Sequence, residues 1–201
     1  VRADGFSSVE LGASSCGEPS LLDAGLLLRD AGERRRLLDT IGELCSGFAR
    51  WGLTRSDCIV GLGGGLVTDV AGYAAASYHR GIDVVHCSTT LLGQIDASIG
   101  GKVGVDHPRG KNLIGAFYQP RLVVQDTSLL ATLPPRSLRE GFAEIVKHGL
   151  IADAPMLDVL ERDADALLAV EPERITALVA RNAAIKARVV SEDEREGGLR
   201  M

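Results

Sequence analysis

Gly63-Gly64-Gly65-Leu66-Val67-Thr68-Asp69 is the first stretch of this chain whose residue types suit a ligand. Glycines between a strand and a helix let backbone N–H groups approach an anion at the positive helix end, which is the physics of dinucleotide binding. The run is not GxGxxG, and a tight strand-to-helix turn calls for the same residues. A second group follows: Thr89 and Thr90, then Asp96, Lys102, Lys111 and Asn112 in glycine-rich surroundings. Flexible backbone and two point charges are what a phosphate requires, with Asp96 available to orient a hydroxyl or a lysine. A solvated loop with surface lysines fits the same stretch. Third, Glu144 and Lys147 stand three apart, where side chains on one helical face meet. They form either a surface ion pair, worth about 0.3–0.5 kcal/mol, or a metal-ligating carboxylate beside a catalytic lysine. The four histidines (His79, His86, His107, His148) show no HxxxH or HxxE spacing, so no complete local metal set is expected from them. His86, near a strand end, reads as packed or hydrogen-bonded rather than as a ligand.

The elements that must hold these residues follow from hydrophobic periodicity. Residues 1–32 are broken by Ser, Gly and Asp, and only 21–29 suggests a short helix. Residues 33–51 carry Leu37, Leu38, Ile41, Leu44, Cys45 and Phe48 at helical steps, and Gly52 ends the run. Residues 58–62 and 82–87 have the length and β-branched content of buried strands, with an alanine-rich helix over 66–79 between them. A parallel α/β crossover is the economical arrangement, since parallel strands need a long and usually helical connection. Residues 100–115 read as a contact loop, 122–125 as another strand, and 137–151, 156–162 and 172–190 as helices. The expected fold is therefore α/β: an α/β half over 1–130 followed by a helical half starting at 131–201. Residues 126–134, with Pro134 and Pro135, mark the boundary.

Hydrophobic residues make up 45% of the 201-residue chain and charged residues 24%, which fits a globular protein and excludes general disorder. A net charge of −5 argues against a nucleic-acid partner. No apolar run approaches the roughly 18–20 residues of a membrane helix, and the N-terminus has no signal-peptide pattern. A cytoplasmic protein is expected. Cys16, Cys45, Cys58 and Cys87 form no CxxC pair, and free thiols are expected. The start at Val1 and the stop at Met201 suggest a fragment at both ends.

Three long segments together carry a resemblance: GGGLVTDVAGYAAASYHRG from Gly63, STTLLGQIDASIGGKVGVDHPRGKNLIGAFYQP from Ser88, and LPPRSLREGFAEIVKHGLIAD from Leu133. The chain closely resembles the 3-dehydroquinate synthase family of sugar-phosphate cyclases. Gly32-Glu33 with Arg36 upstream, and Lys186 with the Asp193 to Arg200 stretch downstream, extend the match. The resemblance implies a carbon–oxygen lyase of the shikimate pathway, and hence of aromatic amino acid and chorismate biosynthesis. It would convert 3-deoxy-D-arabino-heptulosonate 7-phosphate to 3-dehydroquinate and phosphate. It also implies a Rossmann-like NAD-binding domain over 1–130, its first strand incomplete, followed by an all-helical metal- and substrate-binding domain, together with NAD, a zinc or cobalt ion, a small sugar-phosphate substrate and a homodimer, with no nucleic acid and no membrane.

By position, the resemblance assigns Glu33, Arg36, Gly64, Gly65, Asp69, Thr89, Thr90, Lys102, Lys111 and Thr132 to NAD, and Glu144 to the metal. Asp96 and Lys147 match residues that hold the substrate's ring hydroxyls, and Lys102 and Asn112 match phosphate-binding positions. Arg80 matches an arginine that reaches the neighbouring subunit's phosphate, while Lys186 and Arg200 match the pair gripping the substrate carboxylate. The implied chemistry is transient oxidation by NAD, elimination of phosphate, return of the hydride and intramolecular aldol closure, so the protein's task is positioning and electrostatics. The family's metal histidines are expected beyond Met201, leaving one metal carboxylate where a catalytic zinc wants about three protein ligands; an inactive fragment with a truncated helical domain is the consequence expected.

Arg36, Asp106 and Thr68 depart from the residues frequent at those positions in the synthases. Residues 66–80 look in part like valiolone-type cyclases acting on sedoheptulose 7-phosphate, a substrate without a carboxylate. A non-catalytic nucleotide-binding module and a metal-dependent alcohol dehydrogenase are the other readings weighed.

Overall fold

The computed structural model describes residues 7–12, 24–28 and 38–198. The first two segments are strands, β1 (Ser7–Gly12) and β2 (Ala24–Leu28), so residues 24–28 are not the short helix expected from 21–29. A run of three leucines has no helical period of its own, and pairing to β1 decides its state. Helix α1 (Leu38–Arg50) leads to β3 (Cys58–Gly63), then α2 (Gly65–Ser77) and β4 (Asp83–Ser88). β3 and β4 pair in parallel across the α2 crossover. A single π-turn (Gly93–Ala97) precedes the antiparallel hairpin β5 (Lys102–His107) and β6 (Gly110–Phe117), and β7 (Leu122–Gln125) then joins β4 in parallel. The main sheet has the order β2-β1-β3-β4-β7.

The stretch read as a contact loop is thus mostly hairpin. Its glycines serve close backbone approach: a Cβ on Gly104 would stand 2.6 Å from Ile114 O, and one on Gly115 would stand 2.3 Å from Val103 O. Gly104 and Gly115 are cross-strand partners, so only glycine fits on both sides.

The first core forms where α1 and α2 cover the sheet. Leu44, Phe48, Ile59, Val67, Val70, Ala74 and Val84 are all buried there. Phe48 meets Tyr78 edge-to-face at 5.3 Å, and its burial contributes about 1.5–3 kcal/mol. A second core belongs to the helices α3 (Pro135–Ala152), α4 (Pro155–Arg162), α5 (Ala164–Leu168) and α6 (Pro172–Glu192). Ile145, Met156, Leu167, Ile175 and Leu178 fill it, together with Leu91 and Ile95 from the π-turn region. The π-turn is therefore where the sheet layer and the helical layer meet. Asp153 reinforces the helical layer by accepting from Arg181 of α6, which holds its carboxyl below the usual carboxylate range. Cys45, Cys58 and Cys87 are free thiols, and Cys16 lies outside the described residues.

Candidate active site

Two strand ends and a helix start define one wall of the site. Gly63, last in β3, accepts the N–H of Thr89 at 2.9 Å, which ties together the two strand ends that carry Gly64 and Thr89. Gly64 caps α2 without a side-chain hydrogen bond, and a Cβ there would lie 2.8 Å from Thr90 Cγ2. The first turn of α2 thus keeps unblocked N–H groups in a space too tight for any other residue. Asp69, one turn further on, borders the cleft described next.

That cleft has a volume of about 550 Å³, with Asp69, Asp96, Lys102, Asn112, Lys186 and Glu196 on its walls. Lys102 is ion-paired with Glu196, and Lys186 with Asp96. Asn112 has a left-handed backbone (φ 56°), and its N–H is held by Asp106 Oδ1 at 2.8 Å. Two cations and an amide therefore converge on one space from β5, β6 and α6.

Next to Asp96, α3 presents Glu144, Lys147 and His148 on one face, the (i, i+3, i+4) arrangement. Lys147 pairs with Glu144, and His148 Nε2 stands 3.4 Å from Glu144 Oε1. Asp96, carried by the π-turn, completes a group: donor atoms of Asp96, Glu144 and His148 all lie within 4.8 Å of one another. The donor set of two carboxylate oxygens and one imidazole nitrogen is that of a zinc-class site with a position left open. Asp96 Oδ1 and Glu144 Oε1 are out of solvent, and each is ion-paired with a lysine, Lys186 and Lys147 respectively. The donor atoms themselves, two carboxylate oxygens and an imidazole nitrogen within 4.8 Å of one another, fit a metal that would displace these lysines.

This group bears on two expectations. No complete local metal set was expected from the four histidines, and the group is not local: His148 joins Glu144 in the pattern Glu-x-x-x-His, and the third donor comes from 48 residues upstream by tertiary packing. The helical half was also expected to be truncated before its metal ligands, leaving Glu144 alone; instead it contributes two donors of a three-residue group.

Other residues stand elsewhere. Arg80 is exposed in the turn after α2, at the end of that helix opposite Gly64 and about 20 Å of helix away. It and His79 both have left-handed backbones (φ 66° and 51°). Lys111 is exposed on β6, and Thr132 donates to Leu129 O at 2.8 Å on an exposed turn, neither lining the cleft. Glu33, Arg36 and Arg200 lie outside the described residues. His86 is 2% exposed, its Nδ1 has no hydrogen-bond partner, and burial pushes its pKa down to about 4. Of the two readings given for it, packing alone applies.

Comparison with known proteins decides what this geometry belongs to. The family model for the 3-dehydroquinate synthase N-terminal region matches residues 26–140, and that for the C-terminal region matches residues 141–201. The chain belongs to the 3-dehydroquinate synthase family. The C-terminal match, with the Asp96–Glu144–His148 group, overturns the expectation of a chain lacking the C-terminal metal region. A curated 3-dehydroquinate synthase of Synechococcus sp. (strain CC9605) is 50% identical over 187 residues, covering 90% of this chain and 50% of that protein. The chain spans about half the length of the curated synthases it matches. Among solved structures, 2-epi-5-epi-valiolone synthase from Streptomyces hygroscopicus subsp. jinggangensis 5008, with NAD+ and Zn2+ bound, aligns with a TM-score of 0.81 at 34% identity, over 85% of this chain and 48% of that one. A 2-deoxy-scyllo-inosose synthase with carbaglucose-6-phosphate, NAD+ and Co2+ gives 0.78, also at 34%, over 84% and 46%. Among the described residues of this synthase-family chain, no helix is long and apolar enough to cross a membrane.

Proposed function

We propose that the chain acts as a 3-dehydroquinate synthase, releasing phosphate from 3-deoxy-D-arabino-heptulosonate 7-phosphate and closing the carbocycle. The observation that carries this reading is the position of Asp96, which belongs both to a three-donor group able to hold a metal and to the cleft whose walls carry Lys102 and Lys186. When bound, a zinc or cobalt ion supplies Lewis-acid polarisation of a hydroxyl, and NAD supplies a hydride acceptor that is restored in the cycle.

The chain's own residues bind and orient. Residues 1–130 take NAD through Glu33, Arg36, Gly64, Gly65, Asp69, Thr89, Thr90, Lys102 and Lys111, and residues 131–201 add Thr132 to the NAD contacts and supply Glu144 to the metal. Lys102 and Asn112 bind the phosphate and stabilise its charge as it departs, while Lys186 and Arg200 grip the carboxylate. Lys102 and Lys186 now pair with Glu196 and Asp96, contacts that anionic substrate groups would replace. Lys147 and Asp96 hold the ring hydroxyls; Asp96 faces both the donor group and the cleft, which suits a residue linking metal to substrate. Arg80, exposed and remote from the cleft, reaches the phosphate of a second subunit in a homodimer.

The test is phosphate release from the heptulosonate phosphate with NAD and zinc present. Release without net NADH supports the cyclase, whereas NADH accumulation would point to an alcohol dehydrogenase. The valiolone-type reading draws on the 34%-identical structural neighbour. Turnover of sedoheptulose 7-phosphate in preference to the carboxylate-bearing sugar would establish it and overturn the proposal.

A further inference from the structure

Three successive residues of the π-turn serve three different surroundings. Gln94 is 0% exposed and bonded to the main sheet, Ile95 lies in the helical core, and Asp96 lines the cleft. Gln94 Nε2 donates to Ser88 O at 3.0 Å, at the end of β4, and to Asp126 O at 2.8 Å, just past β7. Turning the amide over would set its oxygen against both carbonyls, so its orientation is fixed. Oε1 is buried and accepts no hydrogen bond among the described residues. An unmatched buried acceptor is a cost, which the two donor bonds must offset. The sheet also reaches back: Gln125, last in β7, donates through Nε2 to the main-chain carbonyl of Gln94 at 2.5 Å. The N–H groups that would meet that carbonyl in an α-helix or a regular π-helix, those of Ser98 and Ile99, go instead to Gly93 O and Asp96 O. Both glutamine side chains thus tie the π-turn to the strand ends through main-chain carbonyls. The packing of Ile95 supplies burial without direction, whereas these bonds hold the turn to the narrow range of a hydrogen bond.

We propose that Gln94 and Gln125 are positioning residues for the cleft: by anchoring the widened turn to the ends of β4 and β7, they set where Asp96 meets a ring hydroxyl of the sugar phosphate. The inference rests on the reading of Asp96 given above and extends it to two amides that do not line the cleft. β4 is also the strand that runs on into Thr89, whose N–H bonds to Gly63 O. The same anchor therefore keeps the π-turn in register with the glycine-walled start of α2.

The experiment titrates the NAD-free chain calorimetrically with 3-deoxy-D-arabino-heptulosonate 7-phosphate, and separately with inorganic phosphate. It compares the wild type with Gln94→Met, Gln125→Ala, Asp96→Ala and the double variant Gln94→Met/Asp96→Ala, with thermal melts in parallel. Gln94→Met keeps the length of the side chain and removes both donors. It is expected to weaken the sugar phosphate about tenfold, the loss of one hydrogen bond to a charged group, and to leave inorganic phosphate, held by Lys102 and Asn112, unchanged. In the Asp96→Ala background the same substitution is expected to cost nothing further, since a residue that acts through Asp96 then has nothing to place. Gln125→Ala, at a half-buried position, is expected to repeat the pattern and decides the matter should Gln94→Met not fold. Additive losses in the double variant, or equal weakening of inorganic phosphate, would show a general loosening of the fold and overturn the proposal. If Asp96→Ala weakens the sugar phosphate while both glutamine variants bind it as the wild type does, the reading of Asp96 stands and the role of the glutamines falls. If the wild-type chain does not bind the sugar phosphate, or Asp96→Ala binds it as tightly, both fall.

Discussion

Asp106 Oδ1 accepts the backbone N–H of Asn112 at 2.8 Å, across the β5–β6 hairpin at the point where its register slips. Asp106 is largely buried, and the bond holds Asn112 in a left-handed conformation beside the cleft. An ionised acceptor makes this contact worth about 1.5–3 kcal/mol. Asp106→Ala is therefore expected to release Asn112 and raise KM for the sugar phosphate about tenfold, with kcat changed much less. Asp106→Asn keeps an acceptor and should stay near wild type. Steady-state kinetics on the two variants check this; equal losses in both would show that the carboxylate acts through charge instead.

Arg80 has a backbone that a non-glycine residue adopts at a cost of roughly 1 kcal/mol. Arg80→Gly should therefore hold or raise the melting temperature while lowering phosphate release. A variant both less stable and fully active would mean that the turn is kept for folding and not for the substrate of a neighbouring subunit.

Gly64→Ala should weaken NAD about tenfold or more, because its Cβ would lie 2.8 Å from Thr90 Cγ2 at the start of α2. Calorimetric titration with NAD measures the change. Zinc affinity should be unaffected, since no donor of the metal group belongs to that turn.

His86 gives a pH dependence of stability with a definite sign. Its pKa is lowered from 6.5 to about 4 by burial. Above about pH 6.5 both folded and unfolded chains hold it neutral, and its full contribution is present. As the pH falls from 6.5 toward 4 the unfolded chain takes up the proton first, so about 3 kcal/mol is lost across that window. Urea midpoints at neutral and acid pH should diverge less in His86→Gln than in the wild type. An equal divergence would assign the acid sensitivity to other groups.

The strands β3 and β4 and the helices α3, α4 and α6 are legible from composition and period, because each buries a continuous or one-faced apolar run, whereas the short α5 is not. The hairpin is not, because the glycines that permit its close pairing are the residues that ordinarily mark loops. β2 is not, because its leucines carry no period and its pairing with β1 is a long-range fact. In the site, Glu144 and Lys147 are legible as a helical pair, whereas Asp96 joins them only through the packing of the π-turn against α6 and α3. His148 was within reach of the sequence, four residues after Glu144 on the same face. The neighbour of its ring was not: His148 Nδ1 lies 3.0 Å from Asn182 Oδ1 on α6, and an amide in a helix interior gives no sign of its partner.

The π-turn makes residue count, and not only residue type, a condition of the site. Ser98 N–H bonds to Gly93 O at 3.1 Å, which closes a loop one residue wider than an α-helical turn. Deleting any one residue of 93–97 other than Asp96 would let the segment relax to an ordinary helix and swing what remains by about 100°. Asp96 would then leave Glu144 and His148 even though every ligand was still encoded. Lineages descended from an active ancestor should tolerate substitutions in this pentapeptide far better than gaps, and a gap there would identify members that have given up the metal.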